Sequence, residues 1–293
     1  MEDYPFLTYY QKEKESKIAT RLFVIFVYIL LIFYAIVFSV NLAFNTGYRY
    51  ITVEGASMQP TLNPSPITTD DGEFQDSVYV KLTQDVDYGD IIIVDRSEEE
   101  NKKNYTVIKR ALAFEGDKIS IAKLPVGENG EYEYRFIRIK SGDSISTITY
   151  QGQDDKYIIY EDYIIGYDLW SYVFSTPVNG VEYEGYFYQA YIRGQETETH
   201  NIVVNGQIFP VEFYEIGSNM EENDQIFYMG DNRINSRDSR EYGTVDTNNI
   251  VGRVIEIVHN GYSIRNSAFS WLEKVWDYFV IIWNEIINYF GTI

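Results

Sequence analysis

A run of apolar residues near the N-terminus constrains this chain more than any other feature. Residues 22–44 read LFVIFVYILLIFYAIVFSVNLAF and contain no charged side chain. As a helix, this run would be about 34 Å long, against about 30 Å for the hydrocarbon core of a bilayer. The apolar region of a cleaved signal peptide is shorter, at about 7–15 residues. A buried helix of a soluble protein is rarely uncharged on every face. The run therefore predicts a transmembrane signal anchor.

The charges that flank this span predict its orientation. Four bases precede it (Lys12, Lys14, Lys17 and Arg21), whereas only Arg49 follows it closely. Lysine and arginine concentrate on the cytoplasmic side of membrane spans. Residues 1–21 are therefore predicted to form a cytoplasmic tail, and the chain after about residue 45 is predicted to be extracytoplasmic.

Composition excludes several classes of function. The net charge is −20, and acids and bases cancel within residues 1–21, so the acidity belongs to the rest of the chain. Such a surface repels phosphate backbones, and nucleic acid is not an expected partner. The chain has no cysteine and only two histidines, His200 and His259. Thiol catalysis, disulfides and cysteine-based zinc sites are therefore excluded, a histidine metal site is disfavoured, and no cofactor is implied.

Short alternating segments separated by turn-forming clusters dominate the chain after the span. Asn205-Gly206, between NIVV and QIFP, predicts a β-hairpin. The pattern predicts a mainly β fold, with an antiparallel sheet or barrel-like core. We assign this core to residues 45–119 and 224–265. Residues 120–223 are richer in Tyr, Glu and Gly, and we predict that they form an inserted β subdomain.

Residues 266–293 predict an amphipathic helix. Ser270 and Glu273 have the spacing of a capping box, and apolar residues then recur at helical intervals. Its tryptophans favour a helix in the membrane interface, and a helix packed on its own domain is an equally good interpretation. A second full span is disfavoured, because Asn284 and Glu285 would lie deep in lipid.

Three segments outside this regular pattern carry polar side chains suited to chemistry. Ser57 follows a Gly-Ala pair at the end of a predicted strand, where a turn can expose its hydroxyl. Lys109 lies in the strand TVIKRALAF and shares a face with Ala111 and Ala113. The third segment, residues 230–243 (GDNRINSRDSREYG), is a dense run of turn formers and charges between two strands. Loops held between strands often carry function.

Lys109 has two interpretations. A lysine on a strand commonly extends to water. If it is buried instead, lowering the pKa of its amine from about 10.4 to about 8 costs roughly 3 kcal/mol, which desolvation can supply. A neutral Lys109 could then accept the proton of Ser57.

Four ordered segments resemble the sequence boxes of bacterial type I signal peptidases, the peptidase S26 family. They are VEGASMQPTL (53–62), GDIIIV (89–94), VIKRALAFEGD (107–117) and GDNRINSRDSREYG (230–243). The resemblance extends over about residues 20–120 and 224–258. It implies a membrane-bound serine endopeptidase of the bacterial plasma membrane that removes signal peptides from exported preproteins after small residues, of the Ala-x-Ala type. Signal peptides and the lipid bilayer would be its partners.

The same resemblance implies roles for individual residues. Ser57 would be the nucleophile and Lys109 the general base. Ser236 would hydrogen-bond Lys109 and orient it. Supporting residues would be an Asp238–Arg240 ion pair and Asp231, which would help to hold the loop. The apolar pockets for small substrate residues would be lined by Val53, Met58, Leu62 and Ile108, although ordinary core packing explains these four nearly as well.

One position departs from the family pattern. Many members have a serine two residues before the nucleophile that donates to the oxyanion, whereas this chain has Gly55. The oxyanion hole would then depend on backbone N–H groups, chiefly that of Ser57. Glycine at this position is a known pattern in Gram-positive members, and we do not take it as a sign of inactivity.

Three alternative functions are weighed against this one. A self-cleaving repressor-type protease would be soluble and carry a DNA-binding domain, which the span and the acidity oppose. A signal peptidase of the endoplasmic-reticulum type would have histidine in place of Lys109. A non-catalytic membrane scaffold, or an accessory protein of pilus assembly, is a minority alternative because the proposed catalytic residues are all present.

Overall fold

A computed structural model of the chain describes residues 5–64, 67–69, 72–97, 103, 105–143, 145–150, 157–160, 176–217, 224–259 and 270–291. The chain divides into two compact units, one formed by Met1–Arg49 and Ser263–Ile293, and the other by Tyr50–Tyr262. The first unit is helical. The second is mainly β, with two curled antiparallel sheets, so the predicted fold class is confirmed.

The helical unit contains the long helix α1 (Pro5–Gly47) and the C-terminal helix α4 (Ser270–Gly291). Within α1, the stretch Ser16–Gly47 contains an 18-residue window with a mean hydropathy of 2.9 and is long and apolar enough to cross a membrane. It is the one helix among the described residues that meets this criterion. Helix α4 lies within the predicted limits 266–293, whose remaining residues are outside the described ranges.

Helix α4 packs one face on the C-terminal third of α1. The ring of Tyr278 stacks on that of Phe44 at 3.6 Å between centroids, and both Phe44 and Ile281 are buried. The opposite face of α4 carries an aromatic ladder in which Trp276 stacks on Phe279 and Phe279 on Trp283. All three rings are exposed, Trp276 to 65%. Helix α4 therefore has two apolar stripes, one packed on α1 and one exposed.

The first sheet has seven strands in the order β1-β4-β15-β5-β6-β13-β14. Their bounds are β1 (Tyr48–Thr52), β4 (Ser77–Lys81), β5 (Ile91–Asp95), β6 (Thr106–Phe114), β13 (Gln225–Met229), β14 (Val245–Asp246) and β15 (Ile250–Val258). A small separate hairpin joins β2 (Ile67–Thr69) and β3 (Gly72–Phe74). The register shifts between Phe227 and Tyr228 in β13 and at two places in β15. Such bulges increase twist and help a sheet to curl.

The second sheet has six strands in the order β10-β8-β7-β12-β11-β9. Its strands are β7 (Lys118–Leu124), β8 (Glu133–Ile139), β9 (Thr147–Thr149), β10 (Tyr157–Tyr160), β11 (Glu198–Val204) and β12 (Gln207–Glu215). The predicted hairpin at Asn205-Gly206 is confirmed as the β11–β12 turn, and both residues have positive φ. All six strands come from residues 118–215; the limits 120–223 of a separate insert stay a prediction.

Five short helical turns occur among the described residues of the β unit, two of them the 3₁₀ turns Glu128–Gly130 and Thr247–Asn249. Helix α2 (Gly185–Phe187) runs into a π-helical turn, Tyr188–Ile192, and helix α3 is Ser239–Tyr242. The turn at 185–192 was not predicted from sequence. It begins at a side-chain cap, in which Glu184 accepts a hydrogen bond from Phe187 N at 3.0 Å. The helical segment is too short to show a periodic pattern in the sequence.

Strand β5 lies in the core of the first sheet, next to the strand that carries Lys109. Strand β5 (IIIVD) is buried on both faces: Ile91 and Ile93 belong to one apolar cluster, and Ile92 and Val94 to another. Alternate residues of a strand point to opposite sides of the sheet, so a continuous apolar run indicates a central strand. Strand β5 pairs with β6, and that pairing places Lys109 opposite Ile92.

Candidate active site

Ser57 lies on a sharp turn immediately after β1. The chain turns at Gly55, which has φ +84°, a backbone conformation that residues with a Cβ rarely adopt. This conformation gives a physical reason for glycine at the position where many relatives carry serine. Ser57 is half-buried, and its hydroxyl faces strand β6.

Lys109 projects from β6 towards this turn. Its Nζ lies 2.9 Å from Ser57 Oγ and also donates to Ile108 O at 2.9 Å. The side chain is almost completely buried, at 3% exposure, so Lys109 does not extend to water. The tertiary structure thus brings together two residues 52 positions apart in the chain.

Burial lowers the pKa of Lys109 from its ordinary value of 10.5 to about 8. The cost of desolvating an ammonium group is the largest cause, the Asp238 carboxylate opposes it, and the guanidinium groups of Arg240 and Arg96 add to the lowering. A substantial fraction of the amine is therefore neutral near physiological pH. A neutral amine within hydrogen-bond distance of a hydroxyl can accept its proton, which is the requirement for a general base.

The loop 230–243 lies directly beside the turn that carries Ser57. A Cβ at Gly230 would collide with the Ser57 carbonyl and with the side chain of Ser236, so only glycine permits this approach. Asp231 accepts hydrogen bonds from Thr61 Oγ1 at 2.5 Å and from Arg110 Nε at 2.8 Å. These contacts keep the pKa of Asp231 below its ordinary value even though burial favours the neutral form. Asp231 thus connects the loop to the nucleophile segment and to β6.

Asp238 and Arg240 form the ion pair that the sequence predicts. Arg240 Nε lies 2.8 Å from Asp238 Oδ1, and Nη2 lies 2.9 Å from Oδ2. Asp238 also accepts from Gly230 N at 3.1 Å and caps α3 through Arg240 N. Burial of Asp238 favours its neutral form, but Arg240 and these N–H donors hold its pKa below the ordinary value. The pair is a rigid charged support beneath Lys109.

Ser236 lies within this arrangement without the predicted bond to the lysine. Its Oγ is buried close to Gly230 and helps to lower the pKa of Asp238, but it makes no well-formed hydrogen bond to any described residue. The role of Ser236 in orienting Lys109 stays a prediction.

The dyad opens into a groove of about 830 Å³. One side is the segment from Ile51 to Ser57 and the other is β6 from Thr106 to Lys109. Of the four predicted pocket residues, Val53 and Ile108 line this groove. Met58 and Leu62 are 1% exposed and belong to the apolar cluster beneath the turn. They are not among the residues that line the groove, and their contact with substrate stays a prediction.

Three residues near the groove were not identified from sequence. Asn63 and Asn232 hydrogen-bond the nucleophile turn through their side chains. Glu184, from the second-sheet region, lines the groove, and burial raises the pKa of its carboxyl to about 7. Asn232 stands inside a predicted box and Asn63 just after one, where asparagine is ordinarily read as a turn former. The sequence around Glu184 does not indicate a role at the site, because only the tertiary fold brings this residue to the groove.

Comparison with known proteins agrees with this geometry. The family model described as signal peptidase, peptidase S26, matches residues 20–158 and 176–259. These ranges include the apolar helix, all four boxes and most of both sheets. No curated protein matches the chain significantly. Since the family model covers most of the chain, this protein belongs to the signal peptidase family, peptidase S26.

Proposed function

We propose that the protein is a membrane-anchored serine endopeptidase that removes N-terminal signal peptides from exported preproteins after small residues, with Ser57 as nucleophile and Lys109 as general base. Membership in the family indicates a signal-peptide-processing serine peptidase in general. The observation that carries the specific proposal is the 2.9 Å contact between Lys109 Nζ and Ser57 Oγ, with the lysine buried and its pKa lowered to about 8.

The proposed reaction is acyl transfer in two steps. Ser57 Oγ attacks the scissile carbonyl while its proton passes to Lys109 Nζ, and the charge that develops on the carbonyl oxygen is stabilised by backbone N–H groups. Collapse of the tetrahedral intermediate breaks the peptide bond, and Lys109 returns the proton to the leaving amine. Water, activated by the same lysine, then hydrolyses the ester and frees Ser57.

The groove supports substrate binding in an extended conformation. Its lining includes Thr106–Lys109 of β6, and the pairing of β6 with β13 ends at Arg110, so a peptide can add as a further strand beside this part of β6. We propose that Val53 and Ile108 line the shallow sites for the small residues before the cut. Ser236, whose buried hydroxyl has no well-formed hydrogen bond among the described residues, would orient Lys109 during the reaction. The Asp238–Arg240 pair would keep this loop in place.

We propose further that α1 anchors the enzyme in the bacterial plasma membrane, with its N-terminus cytoplasmic and the β unit extracytoplasmic. The aromatic face of α4 would lie in the outer lipid interface, since its opposite face packs on the apolar span at Phe44. Tryptophan is enriched at that depth of membranes. The chain has no cysteine. The test introduces one cysteine at a time, by Lys12→Cys or by replacement of the exposed Ser146, and treats intact cells with a membrane-impermeant maleimide. The cysteine at 146 should be labelled and the cysteine at 12 should not. The reverse pattern would refute the orientation.

Cleavage of a preprotein tests the function. The substrate is a preprotein whose signal peptide ends in Ala-x-Ala, in detergent or lipid, and the enzymes are wild type, Ser57→Ala and Lys109→Met. We expect cleavage by wild type only. Matched controls are Ser146→Ala and Lys103→Met, which change exposed residues and should retain activity. Inactive wild type against several preproteins would favour the non-catalytic scaffold, and activity surviving in Lys109→Met would mean that the base is another residue.

A further inference from the structure

Two asparagine side chains hold the backbone carbonyls of the nucleophile turn. Asn63 Nδ2 donates to Val53 O at 2.9 Å and to Gly55 O at 3.2 Å. Asn232 Nδ2 donates to Ala56 O at 3.0 Å, and Asn232 N donates to the carbonyl of Ser57 at 3.0 Å. Four carbonyls of this short segment are therefore bonded to one asparagine or the other.

These bonds determine where the N–H of Ser57 points. In a trans peptide the C=O and N–H of one unit are antiparallel. The Ala56–Ser57 peptide is trans, since the one cis bond found in the described chain is Gln59–Pro60. Ala56 O accepts from Asn232 Nδ2 and, within the turn, from Gln59 N at 3.1 Å. With this carbonyl held from both sides, the Ser57 N–H is directed to the opposite side, and it donates to no acceptor among the described residues. This is the backbone donor expected to bind the oxyanion, because Gly55 supplies no hydroxyl.

Asn232 is itself held on both sides. The preceding residue, Asp231, is bonded to Thr61 and Arg110, and Asn232 O accepts from Asn235 N at 3.0 Å. A side chain fixed in this way can impose an orientation on the peptide that it contacts. The adjacent glycine, Gly230, allows the loop to approach closely enough for both bonds.

Asn63 is equally well fixed, in a reciprocal pair with Asp76. Asn63 N donates to Asp76 Oδ2 at 2.8 Å, and Asp76 N donates to Asn63 Oδ1 at 2.7 Å. The carbonyl of Asp76 also accepts from Val53 N at 2.9 Å. Both residues are buried, Asn63 at 5% exposure and Asp76 at 2%. This pair supports the segment that leads into the turn, upstream of the peptide held by Asn232.

We propose that Asn232, assisted by Asn63, is a positioning residue that orients the Ala56–Ser57 peptide as the oxyanion donor. The inference rests on the proposed function, because it assigns Ser57 as the nucleophile. Its consequence is that the hydroxyl missing at Gly55 is compensated by a rigidly aimed backbone N–H. Preorganised donors of this kind act mainly on the transition state and little on ground-state binding.

The test compares two peptides that differ only at the reacting carbon. A signal-peptide segment ending in an aldehyde is attacked by Ser57 Oγ: the C–O bond forms, the carbonyl π bond breaks, and the serine proton passes to Lys109 while the carbonyl oxygen becomes an alkoxide. The matched primary alcohol forms no such adduct and reports ordinary binding. Affinities are measured for wild type, Asn232→Asp, Asn232→Ala and, as a charge-matched control on the exposed face of β11, Asn201→Asp.

We expect Asn232→Asp and Asn232→Ala to weaken aldehyde binding by about 10- to 100-fold, below the full 10²–10³-fold effect of deleting an oxyanion donor. Binding of the alcohol should change less than about two-fold, and Asn201→Asp should resemble wild type. The same variants should lower kcat for preprotein cleavage with little change in KM. An Asn63→Ala variant should show the same selective loss of aldehyde binding to a smaller degree.

Several results would overturn the inference. Equal losses for aldehyde and alcohol would indicate a general structural role, and unchanged aldehyde binding would show that Asn232 does not position the donor. Absence of any Ser57-dependent aldehyde adduct in wild type would also overturn it. Because each protein serves as its own reference, the ratio of the two affinities is independent of the folded fraction. If wild type forms the adduct but cleaves no preprotein, the proposed function fails while the positioning role is still decided by this ratio.

Discussion

The pH dependence of cleavage tests the central claim about Lys109. A pKa lowered from 10.5 to about 8 by burial corresponds to roughly 3 kcal/mol of disfavoured charge. At pH 7, an amine of pKa about 8 is about 10% neutral, whereas one at 10.5 is about 0.03% neutral, a difference of roughly 300-fold in active base. We therefore expect kcat/KM of wild type to rise with a slope of one, reach half of its plateau near pH 8, and at pH 7 be about a tenth of that plateau.

The assay uses a preprotein without titratable residues next to the cleavage site, so that the profile of kcat/KM reports the free enzyme. Thermal unfolding at each pH confirms that the enzyme stays folded, and Ser57→Ala provides the background. A limb centred near 10 would show that Lys109 is not desolvated in solution. A limb near 5 or 6 would indicate a carboxylate or histidine as base. Either result would refute the assignment.

The pH dependence of the free energy of unfolding tests the burial of Lys109 without relying on catalysis. Between pH 8 and 10.5 the unfolded chain binds the Lys109 proton and the folded chain does not, so this group makes wild type more stable as pH rises through that window. Below pH 8 the cost is constant. Lys109→Met should therefore stabilise the protein at pH 7 by up to about 3 kcal/mol and flatten the profile in that range. Destabilisation by Lys109→Met would contradict the burial cost.

Four further substitutions have defined outcomes. Asp238→Asn removes the carboxylate that favours charged Lys109, so the acidic limb of the kcat/KM profile should move to lower pH. Arg240→Met removes a guanidinium that disfavours charged Lys109, so the same limb should move to higher pH. Each substitution should lower the free energy of unfolding by about 3–5 kcal/mol, because it leaves a buried charge unpaired. Burial raises the pKa of the Glu184 carboxyl from 4.5 to about 7, so wild type loses stability as pH rises from 4.5 to 7. Glu184→Gln lacks this loss and should be more stable than wild type above pH 7, by up to about 3 kcal/mol. Gly230→Ala should abolish cleavage, since its Cβ would collide with the Ser57 carbonyl.

Each of these changes has its own check. Shifts of the acidic limb in the same direction for both ion-pair variants would contradict the electrostatic account. For the buried glutamate, Glu182→Gln is the matched control, because that carboxylate is 38% exposed beside Lys123. An equal gain in stability for Glu182→Gln and Glu184→Gln would contradict the explanation by burial. An active Gly230→Ala enzyme would show that the loop can move away from the turn. Chemical denaturation and preprotein cleavage measure all of these outcomes.

Much of the architecture is predictable because it depends on local patterns. The apolar run at 22–44 is a property of one stretch of chain. Alternating segments such as YRYIT and IVGRVIEIV likewise form strands, β1 and β15. The hairpin at Asn205-Gly206 follows from the positive φ angles that these residue types tolerate. The elements missed are all short: strands β2, β3, β10 and β14, helix α3, and the turns at 128–130, 185–192 and 247–249. They are too brief to show a period.

The sequence by itself determined the apolar helix, the order of the strands along the chain, and the residue types available for chemistry at Ser57 and Lys109. Only the tertiary structure decided that these two side chains meet at 2.9 Å, that Lys109 is buried, and that Met58 and Leu62 lie beneath the turn rather than in the groove. The tertiary structure likewise decided the contacts of Asn63, Asn232 and Glu184. The physical reason is that pairing register, bulges and side-chain burial depend on partners distant in the chain, which no local period encodes.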